Sequence, residues 1–216
     1  MEEPFEANGV YGVLHRPNRE NGHGLALTHG AGSDSEAPLL VGLARAFEQT
    51  GYVVLRYDLP FRRQRRKGPP FPGAAERDRQ GVALAAEAVR GMVQGRVFLG
   101  GHSYGGRQSA MLAAAHADAA TALLLLSYPL HPPRKPEQKR TSFFPDLRMP
   151  ALFVHGTKDP FGSPEELRRA IAQIPARTDL MAVEGAGHDL APAAGLAVDL
   201  IARLEALAGA RHRSEA

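Results

Sequence analysis

Apolar positions fall into two alternating patterns along the chain. Short continuous runs, four to six residues long, alternate with stretches in which apolar residues recur three and four apart. The runs Leu25–Thr28, Val53–Tyr57, Val97–Gly101, Ala122–Leu126, Ala151–His155 and Thr178–Val183 predict strands, and Val10–Leu14 predicts an edge strand. The helical spacings lie between them. Leu39, Leu40, Leu43, Ala44 and Phe47 share one face, and Gly51 stops that helix. Val82, Ala85, Ala86, Val89 and Val93 mark a second, and a third starts directly after Ser103 and runs to about His116. Ser163-Pro164-Glu165-Glu166 predicts a capping box with proline at the first helical position, ahead of Leu167, Ala170, Ile171 and Ile174. Leu196, Leu200, Leu204 and Leu207 line a closing helix, and residues 210–216 read as a frayed tail.

Two stretches fit neither pattern. Leu59–Gly73 is rich in proline and in basic residues, and Pro129–Pro145 is proline-rich and charged, so both predict loops. The second is long for a connection in a compact domain but too short for a helical lid. Repeated strand–helix units build a mostly parallel sheet with helices on both faces. Right-handed crossovers then bring every strand-to-helix loop to one edge, where ligands bind. The expected architecture is one α/β domain over residues 1–216.

Composition narrows the chemistry. The 216 residues are 44% hydrophobic, which suits a folded core rather than a disordered chain. No apolar run is long enough to cross a membrane, and the acidic N-terminus does not read as a secretory signal, so a cytoplasmic location is expected. The chain has no cysteine, which removes disulfides, thiolate metal sites and cysteine nucleophiles. With 26 basic and 23 acidic residues, the net charge of +3 does not suggest a nucleic-acid partner.

Four glycine-rich junctions carry the candidate chemistry. Gly101-His102-Ser103-Tyr104-Gly105 lies between a predicted strand and a predicted helix, where G-x-S-x-G places a serine on a tight turn with its hydroxyl exposed. His29-Gly30-Ala31-Gly32 follows a strand and lets backbone approach a substrate closely, so the N–H groups of Ala31 and Tyr104 are candidate oxyanion donors. Asp159 follows the strand Ala151–His155, and His188 follows the last strand within Gly185-Ala186-Gly187-His188-Asp189. The order serine, aspartate, histidine matches a nucleophile, an acid and a base brought together by the fold. Arg62 and Arg63, within the basic cluster Arg62–Lys67, are candidates for a substrate anion, and Tyr128 and Phe161 for pocket walls. No spacing typical of a metal site occurs, and neither metal nor organic cofactor is expected.

These motifs resemble the α/β-hydrolases, and in particular the small dienelactone-hydrolase-like serine hydrolases with HGAG, GHSYGG, HGTKDPFG and GAGHDL stretches. That group includes relatives of a histone-acetyltransferase-complex subunit. The resemblance implies an α/β-hydrolase domain without a large lid. It also implies hydrolysis of a carboxylic ester or related acyl bond by Ser103, His188 and Asp159 on a small-molecule acyl substrate. One departure stands out: dienelactone hydrolases proper use a cysteine where this chain has Ser103. A thioesterase, peptidase or acyltransferase would use the same residues, and a scaffold on this fold is the alternative outside catalysis.

Overall fold

The structure, a computed structural model, describes residues 1–191, 195 and 197–209. Leu196 and the tail 210–216 lie outside the described residues. Eight strands form one sheet: β1 (Glu2–Ala7), β2 (Val10–His15), β3 (Gly24–Thr28), β4 (Val53–Tyr57), β5 (Val97–His102), β6 (Ala122–Leu126), β7 (Ala151–Gly156) and β8 (Thr178–Val183). Their order is β1-β2-β4-β3-β5-β6-β7-β8. From β4 to β8 neighbouring strands are parallel, while β1, β2 and β4 pair antiparallel.

The parallel strands β3 to β7 are largely apolar and buried almost throughout because helices cover both of their faces. On one face pack α1 (Pro38–Gln49) and α6 (Ala197–Gly209), through Leu40, Leu43, Phe47, Leu200 and Leu204. On the other pack α3 (Ala75–Arg90), α4 (Tyr104–Ala115) and α5 (Pro164–Ile171), through Val82, Val89, Ala110, Leu167 and Ala170. The capping box of α5 forms as its sequence predicts: Glu166 N–H donates to Ser163 Oγ at 3.2 Å, and Ser163 N–H donates to the Glu166 carboxylate at 2.8 Å. No described helix is long and apolar enough to cross a membrane.

Two features differ from the sequence expectations. Val10–His15 is not an edge strand, because Glu2–Ala7 pairs outside it as β1. The two strands are joined by Asn8 and Gly9, both at positive φ (52° and 79°), as a two-residue type I′ hairpin turn requires. Leu59–Gly73 is not wholly a loop, since Pro60–Gln64 forms a short helix, α2. The segment 129–145 is a loop as expected, exposed over residues 133–139 and anchored at its two ends by the fully buried Leu130 and Phe144, with one 3₁₀ turn at Phe144–Asp146.

Candidate active site

Ser103 sits at the junction of β5 and α4 with φ 50° and ψ −112°. A non-glycine residue in this region is strained, by about 1–3 kcal/mol, and holds only where its surroundings enforce it. The enforcement is steric and bonded. A Cβ on Gly101 would lie 2.5 Å from Gly106 N, and one on Gly105 would lie 2.4 Å from the His29 carbonyl oxygen. Strand, helix and the preceding turn therefore pass in direct backbone contact. The Ser103 N–H donates to the Leu126 carbonyl at 2.8 Å, tying the turn to β6. The hydroxyl caps no backbone group of α4 and is free to face the sheet edge.

Two contacts link three side chains that lie far apart in sequence. His188 Nε2 is 2.8 Å from Ser103 Oγ, and His188 Nδ1 is 2.8 Å from Asp159 Oδ2. With Asp159 accepting from Nδ1–H, Nε2 is left to accept the serine proton. The Asp159 side chain is fully buried, whereas the His188 side chain keeps 24% of its surface exposed, so solvent or substrate reaches the imidazole and not the carboxylate. Burial alone would raise the Asp159 pKa. The bonds from His188 and the Phe161 N–H (2.9 Å), with the nearby His155, outweigh it and hold the carboxyl below its ordinary range.

His188 is held at two further points, one on its ring and one on its backbone. Phe161 lies over it, with ring centroids 4.3 Å apart. His102 Nε2–H donates to the His188 carbonyl at 2.6 Å, and burial pushes its own pKa down to about 4. The acid's loop is held by His155, fully buried, whose Nε2–H donates to the Gly162 carbonyl at 2.8 Å.

The turn 29–32 backs onto the same point. A Cβ on Gly30 would be 2.8 Å from His102 Nδ1 and 3.4 Å from Ser103 Cβ. Neither the Ala31 N–H nor the Tyr104 N–H donates to protein among the described residues. Both are therefore left for a ligand, and the second also lies at the positive end of the α4 dipole.

The four residues expected to contact substrate fare differently. Phe161 is at the site, stacked on the imidazole rather than forming a detached wall. Tyr128 is fully buried, packs on Phe144 and Phe153, and donates its hydroxyl to the Arg140 carbonyl at 2.5 Å, so it belongs to the core. Arg62 is only 5% exposed, and its guanidinium donates to the carbonyls of Ala31, Ser33, Arg65 and Gly68. With four of its five N–H groups engaged, it is not disposed to take a substrate anion. Arg63 is exposed, but its guanidinium lies 3.9 Å above the Tyr11 ring of β2, with β4 and β3 between that strand and the one leading to Ser103. Among the described residues, no three His, Asp or Glu side chains gather where they could hold a metal ion.

One further residue, Asp78, bears on the site and carries no mark in the sequence. It is fully buried, and its carboxylate accepts from the Tyr104 hydroxyl at 2.7 Å and from the Phe61 N–H at 3.0 Å. Its neighbours Glu76, Arg77 and Arg79 are charged, so nothing local separates it from a solvated helix face.

Known proteins share this architecture. Est1E from Butyrivibrio proteoclasticus superposes with a TM-score of 0.75 at 18% identity, over 97% of this chain and 99% of that one. A serine hydrolase without a lid from Xanthomonas campestris gives 0.73 at 18% identity, over 94% of each chain. A dienelactone hydrolase from Anabaena variabilis gives 0.69 at 20% identity, over 97% of this chain and 94% of that one. At such identities the likeness is one of fold. A family model described as an alpha/beta hydrolase domain matches residues 21–210, which span all four glycine-rich junctions. The chain belongs to the alpha/beta hydrolase family.

Proposed function

We propose that the protein is a serine hydrolase that cleaves a carboxylic ester or related acyl bond of a small molecule through an acyl-enzyme. The observation that carries this reading is the unbroken relay from Asp159 through His188 to Ser103, two contacts of 2.8 Å each, with the imidazole partly open to solvent. An idle serine would have no need of a strained backbone, a buried carboxylate and an aligned imidazole at one sheet edge.

In the first half-reaction the Ser103 oxygen attacks the acyl carbon while His188 Nε2 takes the hydroxyl proton. Asp159 keeps the imidazole in the correct tautomer and stabilises the imidazolium. The carbonyl oxygen becomes an oxyanion that the Ala31 and Tyr104 N–H groups can receive, each donor being worth about 10²–10³ in rate. The tetrahedral centre collapses, the C–O bond to the alcohol breaks, and the His188 proton leaves with the alcohol. In the second half-reaction a water gives His188 its proton and attacks the acyl-serine, releasing the acid and restoring the hydroxyl. The residues named need no metal or organic cofactor for these steps. The expected setting is cytoplasmic.

The test is steady-state hydrolysis of p-nitrophenyl esters of rising acyl length by wild type and Ser103→Ala. Turnover by wild type and a loss of about 10⁶ in the variant are expected, by analogy with removal of a serine nucleophile elsewhere. Equal turnover by the two would end the proposal. The chain-length profile would define the acyl group.

A further inference from the structure

The segment leading into and through α2, expected from sequence to be a loop, is bonded directly to the turn that carries one half of the candidate oxyanion hole and, through Asp78 of α3, to the residue that carries the other. On one side is the turn that carries the Ala31 N–H. Ala31 is flanked by Gly30 and Gly32, so its peptide planes could rotate at little cost. They are held instead by their carbonyls. The Gly30 oxygen accepts from His29 Nδ1–H at 2.8 Å and from the Ser33 N–H at 3.2 Å. The Ala31 and Ser33 oxygens accept from Arg62, each at 2.8 Å. Gly30 C=O and Ala31 N–H belong to one planar peptide, so the His29 and Ser33 bonds aim that N–H the opposite way, while Arg62 fixes the next peptide, Ala31 C=O with Gly32 N–H, and so limits rotation at Ala31. His29 itself is anchored to the segment before α2, through the Leu59 N–H donating to its Nε2 at 3.1 Å.

On the other side is Tyr104, whose N–H is the second donor. Its hydroxyl donates to Asp78 Oδ2, while Asp78 Oδ1 accepts from the Phe61 N–H in the first turn of α2. The Phe61 ring packs edge-on against both His29 (5.6 Å) and Tyr104 (5.8 Å). A Cβ on Gly81 of α3 would lie 2.5 Å from the Pro60 side chain, so the helix seats on α3 with no side chain between them. Arg62, Phe61 and Asp78 are buried, which shields these bonds from competing water.

We propose that Arg62 and Asp78 are positioning residues that act through α2 as a strut, fixing the Ala31 N–H and the Tyr104 N–H at the spacing an oxyanion requires. The proposal rests on the acyl-transfer reading given above and deepens it. Neither side chain touches substrate. Their effect is to preorganise dipoles that matter in the tetrahedral state and hardly at all in the bound ester, so the cost of losing them falls on kcat rather than KM.

The experiment compares wild type, Arg62→Lys and Asp78→Asn on p-nitrophenyl acetate, with phenylboronic acid as a tetrahedral-adduct probe and melting temperature as a fold control. Lysine keeps the charge but loses the fork that reaches several carbonyls at once. The expected result is a fall in kcat of about 10- to 100-fold in each variant, less than complete loss of one donor. KM should stay within about twofold, and boronate affinity should fall in parallel with kcat/KM. Ethylguanidine added to Arg62→Ala should restore part of the lost kcat. If Arg62→Ala does not fold, the other two variants carry the test. Wild-type kcat in both Arg62→Lys and Asp78→Asn, or a defect confined to KM, overturns the strut while leaving the hydrolase reading intact. Absence of turnover and of serine labelling in the wild type would instead sink the hydrolase reading itself.

Discussion

His102 Nε2 lies 2.6 Å from the backbone carbonyl of His188, so the residue just before the serine holds the loop that carries the imidazole. The bond joins the tip of β5 to the segment after β8, across β6 and β7 in the sheet. It makes the position of the base depend on the same strand end that positions the nucleophile. Because burial keeps His102 neutral, it serves as a fixed donor and not as a second base.

His102→Phe should therefore lower kcat by about tenfold or more, since small misplacement of a reacting group is costly, while changing KM little. His102→Gln, which can place an amide N–H near the lost Nε2, should recover part of the loss. Steady-state kinetics on a single ester checks both. Equal activity in all three proteins would show that the His188 loop needs no such tie.

Asp159→Asn should keep the fold of the acid's loop but present the wrong hydrogen-bonding pattern to His188 Nδ1. A fall in kcat of about 10⁴ is expected, as for the corresponding change in a serine protease triad. Active-site titration before the assay would ensure that the loss is in turnover and not in folded fraction.

Stability should depend on pH through the histidines. Burial holds His15, His29, His102 and His155 below the ordinary imidazole value of 6.5. As pH falls through that value the unfolded chain takes up protons first, so stability present at pH 7 declines toward pH 4. Asp159 adds to this lower down. Its carboxyl is held below 3.8, so its contribution is present above that value and lost as the pH falls further. Thermal melts at pH 7, 5.5 and 4.5 should show a falling midpoint, with a shallower slope in His102→Gln. A flat profile across that range would contradict these burials.

Activity and stability should trade off at the elbow. Ser103→Gly relieves a non-glycine residue at φ 50° and should raise stability by up to about 1 kcal/mol while abolishing turnover. Gly105→Ala should do the reverse to the fold, since its Cβ would press on the His29 carbonyl. Overpacking of this kind costs about 1–3 kcal/mol. Chemical denaturation of the two variants reads both effects.

The parallel strands and the principal core-packing helices were legible because each carries an apolar run or an apolar face whose period is set by which sides are covered. The four junctions were legible because glycine density at a strand end has few structural uses. What stayed hidden was set by tertiary contact. In β1, Glu2–Ala7 offers Phe5 as its only large apolar residue and only every second position is even partly buried, so no hydrophobic run marks it. The Asn8-Gly9 pair was the available signal. Arg62 sits among basic residues that are mostly exposed, and only the chain fold reveals that it is buried under backbone carbonyls. Asp78 is concealed in the same way. Tyr128 follows the end of β6, but its ring turns inward to Phe144 and Phe153, which no local pattern announces.

The most direct measurement is covalent labelling with a fluorophosphonate, located by peptide mass spectrometry. If Ser103 is deprotonated by His188 as it attacks, wild type should carry one adduct on Ser103. Labelling should be slowed by orders of magnitude in His188→Ala and absent in Ser103→Ala. Labelling at another residue, or labelling of wild type and His188→Ala at the same rate, would mean that the imidazole does not activate this serine.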